Sequence, residues 1–578
     1  MTRAAAPAAV NVSARDRQPR GSAARVVVFG VLTLVAALAI GLLAASLVPG
    51  AVLVGRLLGA ASATSGGAFT QELVAQIDSR LRLAAGVLFL LAAGVFVGRG
   101  AFADLVQTAF SDFAWPRRPE RMEALAIGLP ILLAIGVRLA FLNQPMRYDE
   151  ALTFNEFASR PLYYGLSFYP DPNNHLLNTL LVHVAFAGLG NQPWVLRLPA
   201  LIGGVLLVPA TYGLTWVLNG QRGAFLAALL VAGSSYLVEY STNSRGYTLQ
   251  ALCFVVMLSL VTLAVKRDSR SALLLAALVA AVGAYAVPTM LYGIVIAAAW
   301  FSLEARRVHL IRIRTGHLVV SGLVLGLVST LTYLPVVLVS GADRVVSNRF
   351  VVPLDAASLL NELPGSLLRT WAFWNRDVAL PIAAVLVIGF GFASFREMRR
   401  GRVPLGLVAL GVCLGLVLVQ RVAPFERVWL FLLPLYLAIA SAGLVGLGSV
   451  LGRWGNLVTW LACLFAFQLA IATLVSGSVL RSTETGTFAD AAAVAYSLRG
   501  KLASGDAVVT TLPASLPELQ YYFPKVGLPI DTLVRPPEQA EHVYVVAAPD
   551  DVPAIPGWGR PEQLQRFPGS VVLALQKS

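Results

Sequence analysis

The stretch SRGYTLQALCFVVMLSLVTLAVKRDSR, residues 244–270, decides the fold. It runs from a polar turn, Ser244-Arg245-Gly246-Tyr247, through an uncharged apolar run to Val265, and into the basic cluster Lys266-Arg267-Asp268-Ser269-Arg270. A helix needs about 20 such residues to cross hydrocarbon. Lipid offers no hydrogen bonds to a bare backbone, so the run must be helical. The basic cluster reads as a cytoplasmic flank, which puts the Arg245 turn on the far side.

The same pattern repeats outward along the chain. Spans are predicted at 25–48, 83–99, 123–142, 194–218, 222–238, 246–265, 271–287, 289–304, 317–340, 378–395, 403–420, 428–449 and 456–477. Of the 578 residues, 57% are hydrophobic and 13% charged, about half the charged share of a soluble domain. The formal charge of +14 would suggest nucleic acid in a soluble chain. Here most Arg residues sit in short loops between apolar runs, which reads as topology bias and contact with anionic headgroups. Cys253, Cys413 and Cys463 all lie in apolar runs, so neither a disulfide framework nor a metal cluster is expected. The first run is too long for a signal-peptide core and lacks a cleavage site.

Orientation follows from the dense basic clusters at Arg15/Arg17/Arg20/Arg25, Arg117/Arg118/Arg121, Lys266/Arg267/Arg270, Arg306/Arg307/Arg312/Arg314 and Arg396/Arg399/Arg400/Arg402. All fall on one side if the N-terminus is inside and the short run near 175–190 lies at the interface. Thirteen spans result, with external segments at 143–193, 341–377 and from about 479 onward. The last segment has β-like runs at Ala507–Thr511, His542–Ala547 and Val571–Leu575, which predict a small α/β domain. It shows no Gly-rich phosphate loop and no nucleophile elbow. No internal repeat of the transporter kind is visible. The fold class is therefore an all-α polytopic membrane protein with a small C-terminal α/β extracytoplasmic domain.

Chemistry concentrates on the external side. The first external segment opens Met146-Arg147-Tyr148-Asp149-Glu150 and continues Asp171-Pro172-Asn173-Asn174-His175. Paired acids at a membrane surface are costly if buried without a role and cheap in a wet cleft. The turn Glu239–Tyr247 carries Arg245, and the turn Arg421–Arg427 carries Glu426 and Arg427. Two readings fit each external Arg. It pairs with a nearby acid (Arg245 with Glu239 or Asp149, Arg427 with Glu426), or it binds a phosphate. The loop 341–377 adds Arg344, Arg349, Arg369, Arg376, Trp371 and Trp374, either an interface belt or the lining of a site. Acids, Arg residues and aromatics on one face in several loops favour a site.

These residues resemble a known family. Asp149-Glu150 is similar to the acidic pair of the first external loop of GT-C membrane glycosyltransferases, within them the protein O-mannosyltransferase and aminoarabinose–lipid A transferase group. Asn174-His175-Leu176-Leu177 with Leu180-Leu181-Val182-His183 resembles that group's His-Pro-Pro-Leu helix, with Leu176-Leu177 replacing the prolines. Trp194-Val195-Leu196-Arg197-Leu198-Pro199-Ala200-Leu201 resembles its Arg-Leu-Pro span, and Ser244-Arg245-Gly246-Tyr247 its Arg-Gly-Tyr turn. Glu426-Arg427-Val428-Trp429 with Pro434 resembles a later Glu-Arg element. The ordered likeness covers about 120 residues from Tyr148 to Arg267. It divides the chain into a disordered cytoplasmic tail (1–24), two extra N-terminal helices (25–122), a GT-C-like catalytic domain (123–477) and the extracytoplasmic domain (478–578).

The resemblance implies transfer of a sugar from a polyprenyl-phosphate carrier to an acceptor outside the cytoplasm, with inversion. The implied setting is a bacterial cytoplasmic (inner) membrane with the active site on its outer face. Asp149 becomes the candidate general base, with Glu150 beside it as the second catalytic acid. Arg245 and Arg427 become cations for the leaving phosphate, and Tyr247, His175, Asn174 and Glu239 candidate substrate contacts. No cofactor is expected; the acids do not form an obvious cation cage, although family members vary in divalent-cation use. The partners are the lipid-linked sugar, an acceptor of unspecified class and the bilayer, not nucleic acid. Two other classes compete: a transporter, which would place charges inside its spans, and a non-catalytic envelope-assembly protein with a degenerate core.

Overall fold

A computed structural model describes residues 20–50, 52–54, 67–109, 121–170, 172–346, 352–450, 452–513, 515–551 and 554–577. Arg15, Arg17, Arg117, Arg118, Asp171 and Arg349, and most of the expected N-terminal tail, lie outside these residues. The first helix, Arg20–Ala45, already begins inside the stretch read as tail.

Each of the thirteen expected spans coincides with a helix. They are Arg20–Ala45, Gly67–Val97, Arg121–Leu139, Pro193–Asn219, Gln221–Gly233 continued by Ser235–Ser241, Tyr247–Arg267, Arg270–Ala286, Met290–Val308, Thr315–Val339, Leu380–Arg399, Leu405–Gln420, Leu433–Val450 and Gly455–Ser476. Among the described residues eight helices are long and apolar enough to cross a membrane by themselves, or nine when the pair broken after Gly233, bent by 61°, counts as one span. The other four are shorter or charged at an end. Arg270–Ala286 and Leu405–Gln420 have 17 and 16 residues, and Met290–Val308 finishes on Glu304, Arg306 and Arg307. The second helix starts sixteen residues before its expected position, because its polar first turns continue the same helix.

Lipid tails are as apolar as the helix surfaces, so close packing rather than hydrophobic exclusion joins the spans. Small residues permit it. A Cβ on Gly443 would stand 1.7 Å from the carbonyl oxygen of Gly389, so the Leu380–Arg399 and Leu433–Val450 helices cross backbone to backbone. The core of the bundle buries Leu207, Leu230, Phe254, Leu258, Phe431 and Leu433. Trp460, Leu464 and Val475 stay exposed on one helix face, as lipid-facing residues do.

The basic loops meet at one end of the bundle. The Asp268 carboxylate accepts the backbone amides of Ile311 and Ile313 at 2.8 and 2.9 Å, and Glu304 accepts the amide of Val403 at 3.1 Å. The loops carrying Asp149, Arg245 and Arg427 lie at the other ends of these helices.

At that second end the 143–193 segment forms short helices, Tyr148–Thr153 running into the π-turn Phe154–Ala158, then Leu162–Ser167, then Leu176–Leu189 where the interface helix was expected. The long loop 341–377 contains a helix that the hydropathy pattern did not announce, Ala356–Trp374. The C-terminal sheet has order β1-β2-β4-β3, with β1 (Ala507–Thr510) parallel to β2 (Val543–Ala547), and β4 (Val571–Leu575) antiparallel to both β2 and β3 (Glu562–Arg566). β3 escaped the sequence reading because Glu562-Gln563-Leu564-Gln565-Arg566 is a polar, exposed edge, the composition by which edge strands avoid further pairing. The domain sits on the acidic loop: the Met146 amide donates to the Tyr522 hydroxyl at 3.2 Å, and Asn155 Nδ2 to the Pro517 carbonyl at 2.8 Å.

Candidate active site

Two adjacent acids point to different fates. Glu150 is fully buried. Arg197 grips both of its oxygens, Nε to Oε1 at 2.8 Å and Nη2 to Oε2 at 2.7 Å, while the amides of Ser244 and Arg147 donate to the same oxygens at 2.6 and 3.1 Å. Burial opposes its charge, but Arg197, the Ser244 amide and Arg147 outweigh it and hold the carboxyl below its ordinary pKa. A carboxylate so completely engaged cannot take up an acceptor proton. The expectation of Glu150 as a second catalytic acid gives way to a role as the anchor of its loop. Asp149, one residue earlier, is buried with Oδ2 lacking any hydrogen-bond partner.

Arg245 comes from the turn that precedes the Tyr247–Arg267 helix. Its Nη1 donates to Thr153 Oγ1 at 2.7 Å and to the Asn173 carbonyl at 2.8 Å, and its Nε is buried without a partner. Among the described residues no acid pairs with it. Gly246 allows the next contact. A Cβ there would meet His175 Cβ at 3.1 Å and the Ala286 carbonyl oxygen at 2.8 Å. Without one, the Gly246 amide donates to His175 Nδ1 at 2.9 Å. That bond assigns the imidazole proton to Nε2, and Nε2 lies 3.4 Å from Arg245 Nη2. Two donors therefore face one another, an arrangement completed by an anion that accepts from both. Burial, then Arg245 and Arg427, push the His175 pKa well below its usual value, so the ring is neutral.

Tyr247 packs edge-on against His175 at 4.8 Å and Tyr240 at 5.2 Å. Arg427 enters from the turn Glu426–Leu432. It donates to the Glu484 carbonyl at 3.1 Å, lies over Phe425 at 4.9 Å and stands in the field of Asp149, Glu484 and the hydroxyls of Tyr247 and Tyr240. Its neighbour Glu426 is taken by Arg369 at 2.7 Å. The pairings of Arg427 with Glu426 and of Arg245 with Glu239 are thus replaced: Glu426 binds Arg369, and Glu239 binds Arg147 at 3.1 Å and Arg376 at 2.5 Å.

The structure brings together Asp149, Arg245, His175, Tyr247 and Arg427. It leaves Glu239 in a buried Arg147–Arg376 network. It gives Asn174 a scaffold role, with Nδ2 donating to the Gly165 and Phe168 carbonyls and Oδ1 accepting from Thr179 at 2.7 Å. Three residues were missed. Arg147 and Arg197 are buried cations beside apolar runs, a signal open to reading. Glu484, in the connector after the last span, carried no signal. Elsewhere, Asp506, Glu541 and His542 of the C-terminal domain have ligand atoms within 4.8 Å of one another, a group the cysteine count could not address.

Residues 177–334 match the family described as dolichyl-phosphate-mannose-protein mannosyltransferase. ArnT from Cupriavidus metallidurans, solved bound to undecaprenyl phosphate, is 14% identical, with a TM-score of 0.52 over 78% of this chain and 98% of that one. Its apo structure gives the same score and identity over 78% and 97%. Over that span the chain shares the fold of ArnT. The oligosaccharyltransferase of Archaeoglobus fulgidus is more distant, at 13% identity and a TM-score of 0.43 over 73% of this chain and 68% of that one. No curated protein sequence matches. The family match spans the motifs from Leu177 through the Arg245 turn, and the likeness to the ArnT fold extends over most of the remaining helices.

Proposed function

We propose that the protein transfers a sugar from a polyprenyl-phosphate carrier to an acceptor on the outer face of a bacterial cytoplasmic membrane. One observation carries the reading: Arg245 and Arg427, from turns far apart in sequence, converge on the His175 ring, and among the described residues neither forms an ion pair with an acid. A cation withdrawn from water without a close ion-pair partner is costly, and an anionic ligand offsets that cost for both. The match to the mannosyltransferase family and the ArnT structure with its undecaprenyl phosphate support a lipid phosphate as that ligand.

The chemistry balances on these residues. An acceptor hydroxyl attacks the anomeric carbon, and Asp149 Oδ2 takes its proton. The bond from that carbon to the phosphate oxygen breaks, and the electron pair leaves with the phosphate. Arg245, Arg427 and the His175 Nε2–H stabilise this developing charge in a low-dielectric site. A single displacement inverts the anomeric configuration. No step calls on a metal or another cofactor.

The test is reconstitution. Purified protein supplied with a polyprenyl-phosphate-linked sugar should release polyprenyl phosphate, and mass spectrometry of envelope lipids, glycans and glycoproteins with and without the gene should reveal one class that loses a sugar. No difference in any class, together with no carrier release, contradicts the reading.

A further inference from the structure

The connector between the last span and the C-terminal domain, Ser482-Thr483-Glu484-Thr485-Gly486, is built into the site. Arg147 Nη1 donates to the Ser482 carbonyl and to Thr485 Oγ1, both at 3.1 Å, and Asn243 Nδ2 reaches Thr485 Oγ1 at 3.3 Å. The amides of Tyr148 and Asp149 donate to the carbonyls of Gly486 and Thr485 at 3.4 and 3.3 Å. The connector thus runs along the backbone of the acidic loop and fixes Glu484 next to Arg427, which holds the Glu484 carbonyl. Of the Glu484 carboxyl oxygens, Oε1 accepts from the Tyr236 hydroxyl at 2.9 Å, while Oε2 is buried and, among the described residues, makes no direct hydrogen bond, with the Tyr240 hydroxyl its neighbour.

An ionised carboxylate in this position would repel the very anion that Arg427 is placed to bind. A neutral carboxylic acid would instead offer a donor. We propose that Glu484 enters donor binding as the neutral acid, giving an Oε2–H hydrogen bond to a phosphate oxygen beside Arg427, so that donor binding takes up a proton wherever Glu484 is ionised in the free protein. This rests on the lipid-phosphate reading above and adds to it a residue, a protonation state and a pH dependence.

The surroundings of Glu484 suit that state. Tyr236, Glu239 and Tyr240 face it from the Ser235–Ser241 helix, and Arg427 faces it from the Glu426–Leu432 turn. Glu239 is itself bound to Arg147 and Arg376. Burial, followed by the charge of Glu239, raises the Glu484 carboxyl to about 7 against the opposing pull of Tyr236, Arg427 and Tyr240. Near neutrality the acid form is already abundant before any ligand arrives. A bound anion raises the value further. Affinity is then full below the ligand-free value and falls as pH rises from it towards the ligand-bound value, at most about tenfold per pH unit.

The experiment measures binding of an isoprenyl phosphodiester to the full-length protein between about pH 6 and pH 9, a range in which the probe keeps its single charge and only protein groups titrate. Wild-type affinity should fall by roughly tenfold across the upper part of that range. Glu484→Gln, whose amide donates at every pH, should keep the low-pH affinity throughout. Tyr236→Phe removes the hydroxyl that favours the carboxylate and should move the fall to higher pH; this conservative variant and the wild-type profile carry the test if the Gln variant does not fold. A flat wild-type profile overturns the proposal, as does a fall that persists unchanged in Glu484→Gln. Absence of phosphodiester binding to wild type at every pH removes the lipid-phosphate reading and this proposal together, an outcome distinct from binding that is merely insensitive to pH.

Discussion

Arg197, from the first turns of the Pro193–Asn219 helix, holds both carboxylate oxygens of Glu150 at 2.8 and 2.7 Å. Its Nη1 donates to the carbonyls of Leu142 and Gln144 at 2.8 and 2.6 Å, and Nη2 also to that of Pro145 at 2.9 Å. One guanidinium thereby fixes the whole entry of the acidic loop. The neighbouring Asp149 is free for chemistry because Glu150 bears the structural task.

That division predicts opposite phenotypes for the two acids. Glu150→Gln leaves Arg197 buried with its charge uncompensated, a loss of about 3–5 kcal/mol. Thermal unfolding in detergent should show a clear destabilisation. Asp149→Asn removes no hydrogen bond from the folded state and should unfold at nearly the wild-type temperature. Equal stability of the two variants would contradict the assignment.

Asp149→Asn should instead remove activity. Loss of a general base lowers the rate by about 10²–10⁴-fold, and donor binding should persist because the cations and His175 are untouched. Turnover of a defined lipid-linked sugar, measured beside donor affinity, separates these effects. Near-normal turnover would exclude Asp149 as the base.

Orientation is open to direct labelling. Cys253, Cys413 and Cys463 are at least partly covered within spans. A cysteine introduced at exposed Ser504, in the C-terminal domain, should react with an impermeant thiol reagent from outside, and one at exposed Arg399, among the basic loops, should not. The reverse pattern would invert the topology.

The spans were legible because hydrocarbon demands length and apolarity, two properties written directly in the sequence. The Ala356–Trp374 helix and β3 were not, since each owes its structure to neighbours more than to its own pattern. Within the site, Asp149, His175, Arg245, Tyr247 and Arg427 were legible as polar residues at the ends of apolar runs away from the basic clusters. Their partners were not. Sequence proximity suggested Glu426 for Arg427 and Glu239 for Arg245, yet folding gives Glu426 to Arg369 and Glu239 to Arg147 and Arg376. Glu484 stayed hidden because a lone acid in a Ser/Thr-rich connector looks like any solvated loop. The bonds from Arg147, Asn243, Arg427 and the Tyr148 and Asp149 backbone to that connector bring it to the site.

In the proposed function Arg245 and Arg427 share one anionic ligand, the phosphate of a polyprenyl carrier. The most direct test of that sharing is the affinity of purified Arg245→Ala and Arg427→Ala variants for a polyprenyl-phosphate-linked sugar. A charge-assisted contact to phosphate contributes about 1.5–3 kcal/mol, so each variant should bind at least about tenfold more weakly. Lys should restore only part of the loss, because it supplies charge without the planar fork. Affinity reduced tenfold or more in both variants, with unfolding temperatures close to wild type, is the predicted result; unchanged affinity in both would contradict it.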